Sequence, residues 1–378
     1  MIVCGAGPAG AIAATVMARG GARVLMVDRA RFPRPKLCGD TINPGARAVL
    51  RRLDLLDAIA PQALPVDGMI VTGEGGVRIT ASYRGETGLA IERRHLDAAL
   101  VQAAVAAGVR FEEGVLVRGP LVDGSGRDLR VRGVIIASRD GSDVRVPAPI
   151  VIAADGRRSR LAIPLALARH PSRPRRWAVG GYMDGVTGVT SFGEMHVRRG
   201  RYIGIAPVPS GQTNVCLVVP QGVPLSDPRS VLLAALGADP ALRDRFSAAR
   251  LAGPTSVIGP LAVDARSAGM PGILLAGDAA GFIDPMTGDG LRFAFRGGEL
   301  AGAVALAALA GRLARPHDTL TRARRREFAA KWRFNRSLRR LVDHDLTVGL
   351  AARAAHAAPW LLRRTVAFAG DVPRSAGR

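Results

Sequence analysis

IVCGAGPAGAIAATVMARGGARVLMVDR, residues 2–29, decides the fold. Three apolar residues lead into a glycine-rich turn. Small apolar residues at helical spacing follow, and ARVLMVDR reads as a second strand. This strand–turn–helix–strand unit carries Gly5, Gly7 and Gly10 in a G-x-G-x-x-G frame, with Asp28 closing the second strand. Each part has a task. Gly5 permits the tight turn, Gly7 lets a pyrophosphate approach the backbone, and Gly10 allows close helix packing. The helix start, including Pro8 and Ala9, offers unpaired N–H groups to anionic oxygens. Asp28, with Arg29 beside it, is placed to meet the hydroxyls of an adenosine ribose. The unit therefore predicts dinucleotide binding, of a kind that NAD and FAD share. The first strand is short against the usual five or six residues. The native start is accordingly expected a few codons upstream, and mass spectrometry finding Met1 at the terminus would exclude that.

A second stretch narrows the choice. Residues 272–299 read GILLAGDAAGFIDPMTGDGLRFAFRGGE, an apolar strand delivering Asp278 at its end and a turn with Gly288 and Gly290 opening a long helix. Such a helix start puts N–H groups and a positive dipole end beside a ring that gains negative charge on reduction. A flavin is such a ring.

Between these stretches the chain alternates character. Residues 51–92 hold short alternating runs that suggest strands crossing into another sheet, and a helix is expected over His95 to Ala107 with Gly108 as its stop. Strand-like pieces from 109 to 154 suggest a meander returning to the first unit. Residues 178–221 look all-strand. After the helix from about Leu291 to Leu313, the segment RARRREFAAKWRFNRSLRRL is strongly basic with apolar residues at helical spacing. It is either a solvated helix packing back on the body or an anchor for an anionic surface.

At 378 residues the chain exceeds one ordinary core and fits two or three units. Its 48% hydrophobic content excludes a disordered chain. Lys and Arg number 53 against 31 Asp and Glu, a net charge of +22, and Lys36 and Lys331 are the only lysines. That excess raises nucleic acid or anionic membrane as partners. Only 4% of residues are aromatic, however, and the arginines spread from Arg19 to Arg378 without a compact reading motif, so no nucleic-acid partner is expected. Cys4, Cys38 and Cys216 are too few and too scattered for a disulfide framework or metal cluster. A reducing cytoplasm and no metal are the expectation. No uncharged run reaches the ~18 residues of a membrane span. Peripheral membrane contact through the basic C-terminal helices stays open, as does oligomeric state.

Over about residues 1–310 the chain resembles the FAD-dependent oxidoreductases that include geranylgeranyl reductases, flavin halogenases and single-component aromatic-ring hydroxylases. GAGPAG is similar to that superfamily's ADP-binding turn. AGDAAG at 276–281 is similar to its second FAD motif, in which Gly277 and Asp278 would hold the ribityl chain. AADGRRS at 153–159 looks like the third, which would set Asp155 and Gly156 near the pyrophosphate. The R-x-x-L-D spacing in ERRHLDAAL matches Arg93 to a family arginine that contacts FAD. By the same resemblance the loop with Lys36, Cys38, Gly39 and Asp40 lies over the flavin, with Cys38 either touching the ring or merely buried. Pro285, Gly288, Gly290 and Leu291 complete the implied cofactor set, and NAD(P)H is the implied electron donor. The fold class is then α/β: a Rossmann-like FAD-binding domain, its parallel sheet joined by a β-meander, from segments 1–65, 90–165 and 255–313. An antiparallel-sheet substrate domain takes 66–89 and 166–254, and a basic helical region takes 314–378.

Subtype is decided by smaller signals. Residues 33–46 and 284–302 look closest to the geranylgeranyl-reductase branch, but YIGIAPVPSGQTNVCLVV at 202–219 lacks the tryptophan-bearing pattern expected there. No Trp-x-Trp-x-Ile-Pro motif occurs, which argues against halogenation. The expected function is monooxygenation, hydroxylation or epoxidation, of a hydrophobic aromatic or polyketide-type molecule. Reduction of prenyl or lipid double bonds is the runner-up, and a non-catalytic flavin-binding scaffold the third reading. Catalytic residues are unassigned, with Cys38, His196 and Glu194 as candidates. Glu194 and His196 alternate on one strand and could handle a phenolic proton, or simply build a strand face. Arg292 and Arg296, one turn apart, could bind an acidic substrate or pair with Asp289.

Overall fold

The computed structural model describes residues 1–343 and 359–370, apart from positions 38, 84, 139 and 174. Ile2–Cys4 lies inside a six-stranded sheet, flanked by Val151–Ala153 and Leu25–Asp28, with Val3 facing Ile152 and Met26 in register. Arg110–Glu113 and Ile273–Leu275 extend it in parallel, and Gly269–Met270 adds one antiparallel edge. Side chains alternate across a sheet. Val3, Met26, Ile152 and Leu274 therefore pack under the helices Pro8–Arg19, Arg93–Ala106 and Gly290–Leu309. Ile2, Cys4, Val27, Val151 and Ile273 face the other way, onto Val117, Val131 and Val134. The last three belong to a three-stranded meander, Val117–Asp123, Arg130–Ala137 and Asp143–Pro147. Both faces being covered explains why the three short central strands, Ile2–Cys4, Val151–Ala153 and Ile273–Leu275, are apolar without interruption.

The first helix and the long helix Gly290–Leu309 cross closely because the contact is made of small residues. A Cβ at Gly298 would run into the Ala9 carbonyl, and one at Gly302 would stand 2.9 Å from the Ala13 oxygen.

The chain leaves this layer twice to build a second, eight-stranded sheet. Its order is Arg250–Leu251, Arg176–Asp184, Thr213–Pro220, Arg201–Pro207, Phe192–Arg198, Gly68–Thr72 and Arg78–Ser82, with Ser256–Ile258 also on Arg176–Asp184. All neighbours are antiparallel except Phe192–Arg198 with Gly68–Thr72, which run parallel. That exception follows from the hairpin 68–82 arriving as a separate excursion, laid against a strand more than a hundred residues later. One face of this sheet is covered by Pro228–Gly237 and Arg243–Phe246. The other turns toward the first sheet and toward two C-terminal helices, Pro316–Asp343 and Pro359–Ala369.

Candidate functional site

Between the two sheets lies a cavity of about 390 Å³ to which both sheets, the helix Gly290–Leu309 and the C-terminal helices contribute. Its volume is in the range of small-molecule sites. The first-sheet wall carries Gly7, Pro8, Ala9, Ala154, Gly156, Gly277 and Asp278. Gly7 caps the first helix with no side-chain hydrogen bond, which leaves its initial N–H groups free to face a ligand. A Cβ at Gly7 would meet only an Arg34 nitrogen at 3.5 Å, so the space above the turn is open. Gly5 and Gly10 serve the turn itself. Gly5 has φ +100°, and a Cβ at Gly10 would collide with the Gly5 carbonyl.

Asp28 accepts hydrogen bonds from the Ala6 and Ala30 N–H groups, both at 2.8 Å. The carboxylate thus anchors the glycine turn. Each oxygen retains acceptor capacity for a hydroxyl. Arg29 is exposed and does not line the cavity.

Cationic side chains gather at the same wall. Arg93 is buried and holds Asp97 through two nitrogens at 2.8 and 3.0 Å, while Arg34 reaches Asp97 at 3.1 Å. Lys36 lines the cavity, and its ammonium is held down to about 8, first by burial and then by Arg93. Asp97 serves the two guanidiniums and Asp278 faces the Lys36 ammonium, so three cations stand against two carboxylates, which favours an anionic ligand. Sequence reasoning missed Asp97, although its i,i+4 spacing from Arg93 was the available signal.

Asp155 and Gly156 follow the strand Val151–Ala153. One Asp155 oxygen accepts from the Arg160 N–H at 2.8 Å, and the other is buried with no partner. Burial pushes this carboxyl above its ordinary value. Beyond Gly277 and Asp278, Pro285, Gly288, Gly290 and Leu291 also line the cavity. Beside them the Thr287 hydroxyl is buried without a partner, an oxygen that a ligand could satisfy. The loop contributes Gly39, Thr41, Ile42 and Asn43, whereas Cys38 lies outside the described residues. Glycine backbone, orphan helix N–H groups, surplus positive charge and the unsatisfied Thr287 hydroxyl together fit a long ligand with a diphosphate and many hydroxyls, as FAD is.

Opposite, the second sheet presents Met69, Val71, Met195, Val197, Gly204 and Ala206, and the C-terminal helices present Phe334, Leu338, Val342 and Val366. This part is apolar. Tyr202 stands at its edge, donating to Asp284 at 2.5 Å, with Arg176 3.5 Å from the other Asp284 oxygen. Asp40, buried with φ +51°, accepts from Tyr182 and Asn214 at 2.6 Å each and from the Arg93 N–H at 3.2 Å. Burial outweighs these bonds and lifts its carboxyl to about 7.

Glu194 and His196 sit differently. Glu194 lines the cavity but His196 does not; the His196 ring lies 2.9 Å from Glu194 and 2.8 Å from Thr72. Glu194 is bound by two Arg245 nitrogens at 2.7 and 2.8 Å. Burial would raise this carboxyl, but Arg245 and His196 hold it down to about 2. This is a closed ionic cluster. Arg292 and Arg296 pair with Glu327, and Arg296 also with Glu299. Asp289, the partner expected for them, instead binds Lys331 at 3.1 Å.

Several known proteins are similar to this chain. Menaquinone reductase of Mycolicibacterium smegmatis is 35% identical over 131 residues, 34% of this chain and 32% of that protein. The 6-methylpretetramide 4-monooxygenase of Streptomyces rimosus is 34% identical over 155 residues, 36% of this chain and 37% of that protein. The matches thus span about a third of the length of these relatives. The myxobacterial chondrochloren halogenase, an FAD-dependent enzyme, superposes with a TM-score of 0.82 at 20% identity, over 96% of this chain and 89% of that one, a likeness of fold. The FAD binding domain model matches residues 1–331, so the chain belongs to that family, within the superfamily of FAD-dependent oxidoreductases.

Proposed function

We propose that the protein takes two electrons from NAD(P)H and uses dioxygen to insert one oxygen atom into a hydrophobic aromatic or polyketide-type molecule, as a hydroxylation or an epoxidation, the second oxygen atom leaving as water. The observation that carries this reading is the apolar half of the cavity, walled by Met69, Val71, Met195, Val197, Gly204 and Ala206 and continuous with the glycine-lined half. Bound FAD would supply the electron transfer and oxygen chemistry. The chain supplies binding, orientation and exclusion of water. Gly7 and the first helix would hold the diphosphate, Asp278 the ribityl hydroxyls, and the start of Gly290–Leu309 would face the ring with its dipole. The apolar floor and the helical roof select a substrate without charge and keep solvent from the reacting atoms. Tyr202 is tied to Asp284, so its hydroxyl proton is oriented away from the apolar floor.

The identity with the 6-methylpretetramide monooxygenase supports this choice. The comparable identity with menaquinone reductases favours a second reading, reduction of a prenyl or lipid double bond. Purified FAD-loaded protein supplied with NADPH separates them. Oxygen uptake stimulated by a polycyclic aromatic substrate, with one labelled oxygen atom in the product, is the expected result. Anaerobic loss of a double bond from a prenyl lipid, without oxygen uptake, would establish the second reading instead.

A further inference from the structure

We propose that the outer face of the helix Pro316–Asp343 docks on an anionic phospholipid membrane. Arg322, Arg325, Arg326, Arg333, Arg336 and Arg340 are all exposed. At 3.6 residues per turn they fall within a sector of about 100° and extend over about 27 Å. Between Arg322 and Arg340 the one carboxylate is Glu327, which is turned onto Arg292 and Arg296 at 3.1 Å. None of the six arginines forms an ion pair among the described residues.

Arginine-rich composition does not explain the stripe. Elsewhere on the surface some arginines are matched with acids, Arg51 with Glu86 and Arg52 with Glu299 at 2.6 Å, Arg110 with Glu112 at 2.5 Å, and Arg118 with Asp143 at 2.9 Å, while others such as Arg78, Arg145 and Arg250 stand singly on strands rather than in a row. A row of like charges left uncompensated on one helix face destabilises that helix. An anionic lipid surface would relieve the repulsion along its whole length.

Two observations favour lipid over nucleic acid. The inner side of the same helix roofs the apolar cavity through Phe334, Leu338 and Val342. Docking the stripe would bring that roof to a reservoir of apolar molecules, whichever reaction the site performs. The following helix exposes Trp360, 54% accessible, with the Arg364 guanidinium 5.2 Å above its ring. Such an aromatic–cation pair suits the headgroup region. Base stacking would need aromatic rings within the stripe. The rings of this helix are instead engaged with one another and with the last helix: Phe328 with Trp332 at 5.8 Å, and Phe334 with Phe368 at 5.1 Å.

The test is co-sedimentation of the FAD-loaded protein with vesicles of phosphatidylcholine alone and of phosphatidylcholine mixed with phosphatidylglycerol. Binding is expected only to the anionic vesicles, and it should weaken as salt rises. The variant Arg333→Gln/Arg336→Gln/Arg340→Gln should bind roughly 100-fold more weakly, at about fivefold per arginine. Its flavin absorbance should match the parent's, because these side chains lie on the outside. Absence of binding to anionic vesicles, or equal binding by the variant, would overturn the proposal. Tighter binding of duplex DNA than of anionic vesicles at the same salt would also overturn it and assign the stripe to nucleic acid.

Discussion

A methyl group added at Gly7 and one added at Gly10 should fail in different ways. At Gly7 there is room, and the new carbon would occupy space where a diphosphate would lie. Gly7→Ala is expected to melt within a degree or two of the parent yet bind FAD at least tenfold more weakly. At Gly10 the carbon meets the Gly5 carbonyl, so Gly10→Ala should lose about 3 kcal/mol or more of stability. Thermal unfolding beside flavin titration checks both; equal effects on melting would contradict the assignment. Asp40 offers a second test. Its carboxyl rises from 3.8 to about 7 on folding, so between those values the folded state holds a proton that the unfolded state has released. Stability contributed at this site therefore declines as pH rises from about 4 to 7, on the order of 4 kcal/mol, and levels off above. Asp40→Asn should flatten that slope, as urea unfolding at a series of pH values would show. The same slope in both proteins would remove the argument.

Among the elements, the βαβ unit, the meander and the long glycine-bearing helix were legible because their signals are local: turn glycines, periodicity and strand ends within thirty residues. The partners of Asp40 were not legible. Tyr182 and Asn214 stand far along the chain, and no pattern near residue 40 points to them. The parallel pairing of Gly68–Thr72 with Phe192–Arg198 was hidden for the same reason. The roof of the cavity was equally obscure. A basic amphipathic segment announces a helix, not what its inner side covers. There Lys331 donates to Asp289 at 3.1 Å and to the Phe368 and Ala369 carbonyls at 2.5 and 2.7 Å, tying the end of Pro359–Ala369 to the start of Gly290–Leu309. Asn43 joins the same knot through Asp289. Lys331→Met would take from the buried Asp289 carboxylate the ammonium that stands 3.1 Å from it. It is expected to cost about 3–5 kcal/mol and to make trypsin cut after Arg364 sooner than in the parent. Unchanged cleavage would mean that the knot does not hold the last helix.

For the molecule as a whole, the site exists only when both sheets and the C-terminal helices are assembled, since each contributes one wall. Specificity is therefore a property of distant segments brought together, and the identity of the substrate was beyond the reach of local motifs. The charge pattern shows the same separation of scales: a net +22 is visible in composition, but the exposure of six arginines along one helix face needs the fold. The scarcity of lysine has a practical outcome. Both lysines belong to the neighbourhood of the cavity; Lys36 lines it, its ammonium held down to about 8 by burial and Arg93, whereas Lys331 is buried and bound to Asp289 and two carbonyls. An amine-directed acylating reagent at mild alkalinity should thus tag the flavin-free protein at Lys36 and little else besides the Met1 amino group. Adding the coenzyme should protect that position, which turns peptide mass mapping into a single-site footprint of occupancy.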